Sequence, residues 1–371
     1  MAREPLLTAP EMQTRSWTPP TGYFLYSDLY DSQGALYENF ASSDPTKRNI
    51  EAFFTLAGED EPASSDPTYA NYPYHGRLRC LSSSEKWLLS IRSVDPKDVN
   101  PGDYYVYGFI PGDAADDAAI ARLSEETGYT EGATLTIKGL RTAGYDACVI
   151  IGAKEGPDAD HDNGLTAGDF CFNLQTGEGV HNNLYLLFDH LCSALTVGIK
   201  VDGTYNRLRT IKLKQMTLQT ATESGLMTEK ADVVVTVNRN NTGSNPVTSL
   251  TYTPKGQSET GGTVFQSDEG LELTTDTKSF LTHFLPIAGV TKVVITCTYD
   301  IYDKNVTAEH PDGNLIRKDC SATNTVRLSD VIAYFQGVQR GWKYGINMTV
   351  VPTYLYMLSE PDLENPRMVV N

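Results

Sequence analysis

Lys292-Val-Val-Ile-Thr-Cys-Thr-Tyr-Asp-Ile301 decides the fold. Val293, Ile295, Cys297, Tyr299 and Ile301 alternate with Lys292, Val294, Thr296, Thr298 and Asp300, a period of two that sends one set to a buried face and the other to a wetter one. One-sided burial marks antiparallel sheets, because a parallel strand is covered on both faces and reads as a continuous apolar run. The pattern recurs at Leu195, Val197, Ile199 and Val201, at Val233, Val235 and Val237, and at Ile346, Met348 and Val350. Further strands are expected over 23–30, 87–92, 104–110 and 147–152.

Helical signals are few. A helix is expected over 113–126, with Asp113 as N-cap, Ile120 and Leu123 on one face and Gly128 just past its end. A shorter one is expected over 329–335, opened by Ser329 and stopped by Gly337. The class is therefore all-β, built from antiparallel sandwiches with a few short helices. Polar Gly/Ser/Thr/Asn/Asp stretches at 58–71, 154–169 and 238–268 read as connections. The turn-rich run from Gln175 to Val180 precedes a restart of strong alternation and places a boundary between an N-terminal domain, 1–178, and a C-terminal domain, 179–371.

Length agrees: 371 residues, at about 150 per domain, suggest two domains, with three the alternative. Lys and Arg number 30 against 47 Asp and Glu, a formal charge of −17 that repels phosphate and argues against a nucleic-acid partner. The longest apolar runs, such as Leu184 to Phe188, fall far short of a membrane span. The opening Met-Ala-Arg-Glu-Pro carries no apolar signal core, which fits a cytosolic protein or a secreted one without its signal. Six cysteines, at 80, 148, 171, 192, 297 and 320, form no CxxC pair and are too sparse for a disulfide scaffold. Cys148, Cys171 and Cys297 lie in apolar strand-like runs and read as free thiols buried in the core.

Recognisable catalytic motifs are missing: no GxSxG, HExxH, P-loop or GxGxxG after a strand. No cofactor is expected, and the reading is non-enzymatic. One loop has calcium-loop spacing, with Asp158, Asp160 and Asp162 two apart and Asp169 at the twelfth position. Its glycine falls one place late, at Gly164, and the commoner reading of such a run is a solvated acidic turn. Asp189-His190-Leu-Cys-Ser193 sets triad residue types side by side, but a triad is assembled across a fold, and His190 reads as a hydrogen-bonded packing residue. His161, between Asp160 and Asp162, reads as solvent-facing. The 21 tyrosines include clusters at Tyr23, Tyr26 and Tyr30 and at Tyr72 and Tyr74 that could stack on sugar rings.

Leu184-Tyr-Leu-Leu-Phe188-Asp-His190-Leu-Cys-Ser-Ala-Leu195-Thr-Val-Gly-Ile-Lys200 resembles the fimbrillin family of Gram-negative surface pilus proteins, with an apolar strand, a His-Leu pair, a small-residue turn and an alternating strand. Leu208 to Leu213, Phe284-Leu-Pro286 and Gly341-Trp342-Lys-Tyr344 follow in the family's order, and Trp87 precedes Val106-Tyr-Gly-Phe-Ile-Pro111 as the family's first half has it. The resemblance implies two transthyretin-like, Greek-key β-sandwiches exported as a lipoprotein precursor to the outer membrane. The lipobox cysteine is not in this sequence, as in a chain lacking its export signal.

It also implies a fimbrial subunit whose N-terminal strand is removed by an arginine-specific protease. A partner subunit's strand then fills the exposed groove. Arg15, in Gln-Thr-Arg15-Ser-Trp17, is the candidate cleavage point. Implied partners are other fimbrial subunits and a host or bacterial surface receptor. Residues 349–358 are either the donor strand or the last strand of their own domain. The alternative function is a secreted or surface-anchored carbohydrate-binding protein, and a hydrolase with paired carboxylates comes third.

Overall fold

The computed structural model describes residues 49–57, 73–80, 87–91, 101–122, 132–141, 144–155, 165–175, 184–239, 246–258, 262–304, 308, 313–332 and 335–350. Strands are numbered in chain order and lie in four sheets. The first sheet runs β3 (Trp87–Ile91), β2 (Tyr74–Cys80), β1 (Asn49–Leu56), β4 (Gly102–Ile110), β7 (Cys148–Glu155) and β9 (Leu184–His190), with β8 (Cys171–Leu174) also against β4. The second runs β14 (Val247–Ser258), β13 (Thr228–Asn238), β6 (Gly132–Arg141) and β5 (Asp117–Arg122). A third holds β16 (Lys278–Phe284), β10 (Ser193–Val201) and β19 (Lys343–Val350). The fourth runs β12 (Gly225–Leu226), β11 (Arg209–Thr222), β17 (Lys292–Asp303) and β18 (Leu315–Arg327), with β15 (Gly262–Leu273) on the other side of β11.

The chain is mostly β, and the alternation that announces it is realised side chain by side chain. On β17, Val293, Ile295, Cys297, Tyr299 and Ile301 are buried, while Lys292, Val294, Thr296 and Thr298 are half-buried; Asp300, expected on the wetter face, is buried as well and accepts from Asp319 N–H at 2.7 Å. β10 and β13 bury Leu195, Val197, Ile199 and Val201, and Val233, Val235 and Val237, in the same way. Antiparallel ladders join every pair except one: β19 lies parallel to β10, from Ala194 opposite Lys343 to Val201 opposite Val350. A parallel partner needs a long crossover, and here the paired residues are far apart in the chain.

Several expectations are corrected. Over 113–122 the expected helix does not form, and 123–126 lie outside the described residues. A single 3-10 turn at Gly112–Ala114 leads into β5, which pairs with β6 from Asp117 opposite Lys138 to Arg122 opposite Ala133. Ala118 is buried while Asp117, Ala119 and Ala121 are exposed, a period of two that the alanine-rich composition disguises. Pairing to β6 outweighs the helix propensity of alanine, a few tenths of a kcal/mol per residue, roughly. The second helix shrinks to one turn, Leu328–Val331, with Arg327 rather than Ser329 at its N-cap.

The supposed connection over 238–268 contains β14 and the first part of β15. Both carry mostly polar side chains and stand at sheet edges, where no second face demands apolar residues. Cys171 is exposed, not buried, because it starts the short β8 on the outward side of Phe172. Residue 178 lies outside the described residues, and two sheets hold strands from both sides of it. β7 pairs with β9, and β6 pairs with β13 from Lys230 opposite Arg141 to Asn238 opposite Gly132. No helix among the described residues is long and apolar enough to cross a membrane.

Candidate functional site

A carboxylate set deep in the apolar interior is that of Asp146, whose side chain is 3% exposed. It lies just before β7, and the register explains its company. Cys148, the first residue of β7, stands directly opposite His190, the last of β9. Asp146, two residues before Cys148, points to the same side as Cys148 does. His190 Nδ1 lies 2.9 Å from Asp146 Oδ1, and Cys148 Sγ lies 3.4 Å from that same Nδ1 and 3.8 Å from Oδ1. A second imidazole arrives from β16: His283 Nε2 is 3.7 Å from Asp146 Oδ2.

Main-chain bonds draw these elements into a seam. Leu191 N–H donates to Ala147 O at 2.7 Å, Gly144 N–H to His283 O at 2.9 Å, and Gly341 N–H to Cys192 O at 2.7 Å. Tyr252 of β14 donates its hydroxyl to Leu191 O at 2.7 Å. Arg340 binds the Asp189 carboxylate and donates to His190 O at 3.1 Å. Three of the four sheets therefore meet around the turn between β9 and β10.

Electrostatics follow from burial. Desolvation alone would raise the Asp146 pKa. The charges of His190 and His283, with hydrogen bonds from His190 and Cys148, outweigh it and hold the group below the ordinary carboxylate value. His190 is pushed up to about 9, chiefly by the Asp146 charge and against its own burial. Burial drives the Cys192 thiol far up, so it stays protonated; it donates to Tyr145 O at 3.2 Å and accepts from Ala147 N–H at 3.3 Å.

The trio Asp146, Cys148 and His190 is not a nucleophilic triad. In a triad the base uses one ring nitrogen for the nucleophile and the other for the carboxylate. Here Nδ1 faces both, and Cys148 is 1% exposed, out of a substrate's reach. Three atoms of three different donor types around one point are a group that could hold a metal ion.

The residues singled out by sequence are mostly elsewhere. Asp169 accepts from Thr166 N–H at 3.1 Å and Thr166 Oγ1 at 3.0 Å, with Lys154 Nζ 3.7 Å away, so it closes its own turn. Asp158, Asp160, His161, Asp162 and Arg15 lie outside the described residues. His190 is a hydrogen-bonded residue as expected, yet its partner is Asp146 and not the adjacent Asp189, which binds Arg340. Ser193 donates to Gln339 O at 2.7 Å. Tyr74 is buried against Tyr104 and offers no face to a sugar. The large exposed apolar side chains among the described residues are Leu208, Leu226 and Leu315, none aromatic. Sequence reasoning missed Asp146 and Cys148 because the Asp-x-Cys pattern means nothing until β9 is laid beside β7.

No family model matches the chain, and no curated protein matches it. Among solved structures it is similar to a candidate cell adhesion protein from Bacteroides fragilis, at 10% identity and a TM-score of 0.36, over 81% of this chain and 78% of that one. It is similar to a fimbrial protein from Bacteroides vulgatus, at 13% identity and a TM-score of 0.33, over 82% and 88%. It is also similar to the fimbrial anchor protein Mfa2 from Porphyromonas gingivalis, at 11% identity and a TM-score of 0.26, over 83% and 84%.

Proposed function

We propose that this chain is a non-enzymatic structural subunit of a cell-surface fimbria, joined to other subunits by β-strand addition and supporting adhesion. The finer architecture belongs to the same proposal: two transthyretin-like sandwiches, with the β6–β13 sheet closing the first and the β10 and β11 sheets forming the second. Export as a lipoprotein precursor to the outer membrane completes it.

The observation that carries the reading is the position of β19. It occupies one edge of its sheet, parallel to β10, and among the described residues nothing pairs with its outer side. Tyr344 and Ile346 fill the core from it, and Met348 and Val350 pack beside them. The ladder that holds such a strand consists of main-chain bonds, and these do not depend on which chain supplies the strand. A strand that fills a groove from far along the chain is the unit that strand addition exchanges between subunits, and an uncovered edge is where another can be added.

β19 pairs with β10 of its own chain through Thr349 and Val350, and the rest of the 349–358 stretch, 351–358, lies outside the described residues. Incubation with an arginine-specific protease, followed by gel electrophoresis and electron microscopy, tests the proposal. Cleavage at Arg15 followed by a detergent-resistant ladder or filaments is the expected result. Cleavage that leaves monomers overturns polymerisation by this route.

A further inference from the structure

The seam poses a problem of protons. Asp146 Oδ1 accepts, His190 Nδ1 can serve one neighbour at a time, and the Cys148 thiol has a single hydrogen. That hydrogen has Asp146 Oδ1 and the Asp146 carbonyl, at 3.8 and 3.9 Å from the sulfur, within reach, while His190 Nδ1 stands 3.4 Å from the same sulfur. A cation at the centre would satisfy the oxygen, the nitrogen and the sulfur together. The spacing suits one: ligands held at about 2.0–2.3 Å in a tetrahedron stand about 3.3–3.6 Å from one another. The three separations here are 2.9, 3.4 and 3.8 Å, so shifts of a few tenths of an ångström bring them to that geometry.

The donor set selects the metal. Thiolate and imidazole exclude calcium and magnesium, which take oxygen, and a carboxylate beside them fits a borderline ion better than copper(I). We propose that Asp146 Oδ1, Cys148 Sγ and His190 Nδ1 form a zinc site that clamps the start of β7 to the end of β9. Water takes the fourth position from the side of His190, whose side chain is 44% exposed and marks the way in. His283, beside Asp146 Oδ2, acts as an outer partner that fixes the carboxylate.

Binding involves no redox change. The Cys148 proton and the proton on His190 Nδ1 pass to solvent, and three metal–ligand bonds replace the hydrogen bonds of the trio. The clamp is local to one chain, so it stands or falls independently of filament formation.

Cobalt(II) provides the readout. Full-length reduced protein, stripped with a chelator, is titrated with cobalt(II) and then with zinc. The expected result is a thiolate-to-cobalt charge-transfer band that saturates at one equivalent per chain and disappears as zinc displaces cobalt. Cys148→Ser should abolish the band, and His190→Gln, at a half-exposed position, should weaken binding about tenfold or more while circular dichroism stays unchanged. Zinc should raise the melting temperature of the wild type and not of His190→Gln. Absence of the band in the wild type overturns the proposal. So does a band that persists in Cys148→Ser, which would assign it to another cysteine. If Cys148→Ser fails to fold, the wild-type stoichiometry and the His190→Gln affinity decide: one equivalent with weakened binding supports the site, and unchanged affinity overturns it.

Discussion

Glu51 shows how one buried charge is tolerated in a sheet. Its side chain is 2% exposed on β1, opposite Arg77 of β2, whose Nε lies 2.6 Å from Oε2. His75, two residues along β2, binds the other oxygen, and Arg77 continues to Asp113 at 2.5 Å. Burial pushes the Glu51 pKa up, but the bonds from His75 and Arg77 and the Arg77 charge bring it below its ordinary 4.5. A folded pKa below the unfolded one stabilises above about pH 4.5, and that contribution fades as the pH falls through the lowered value. Glu51→Gln should therefore cost about 2 kcal/mol at neutral pH, by loss of charge-assisted hydrogen bonds, and progressively less in acid. Urea denaturation of both proteins between pH 7 and pH 3 would show the gap closing; a gap independent of pH would refute the assignment. Nearby, Gly108 faces Ala52 across the β1–β4 ladder, and a Cβ there would stand 2.0 Å from Glu51 O. Gly108→Ala should cost about 2 kcal/mol or more through forced strand separation, read as a lowered urea midpoint.

At the scale of elements, alternation reveals strands that cover a core and hides strands that do not. β10, β13 and β17 were legible because one face of each is apolar. β14 and the start of β15 stand at edges with few buried side chains, so their polar composition reads as loop. β5 misled in the other direction: Ala-Ala-Ile-Ala is a good helix locally and becomes a strand only because β6 presents a free ladder. Leu135 on β6, buried between Ile120 and Val235 as cross-strand partners, is the hinge of that sheet. Leu135→Ala should cost about 3 kcal/mol by cavity formation, whereas Lys138→Ala, exposed on the same strand, should fall within about 0.5 kcal/mol of the wild type. Equal effects on the denaturation midpoint would mean that β6 does not carry the core.

For the whole molecule, the pairing of β6 with β13 and of β7 with β9 ties the two halves together across residue 178. A fragment 1–178 would keep β5 beside β6 and β4 beside β7 but leave the other edge of each strand unpaired, and uncover the apolar side chains of Ile137, Leu140, Ile150 and Ile151. The fragment is expected to lack a cooperative thermal transition and to aggregate, while the full chain melts cooperatively. A well-dispersed, cooperatively melting fragment would show that the first half closes its own sandwich.

Period-two alternation by itself determined the all-β class and the identity of the principal strands, because which residues face a core depends on local geometry alone. His190 also read as a hydrogen-bonded residue, because adjacency in sequence does not assemble a triad, and it is bonded to Asp146. Which strands share a sheet was decided only by tertiary structure, since a ladder can join residues a hundred positions apart, as Thr134 and Thr236 are joined by their hydroxyls at 3.2 Å. The convergence of Asp146, Cys148 and His190 belongs to that second kind. None shows this association in its own segment, and the register of β7 against β9 sets their donor atoms around one point.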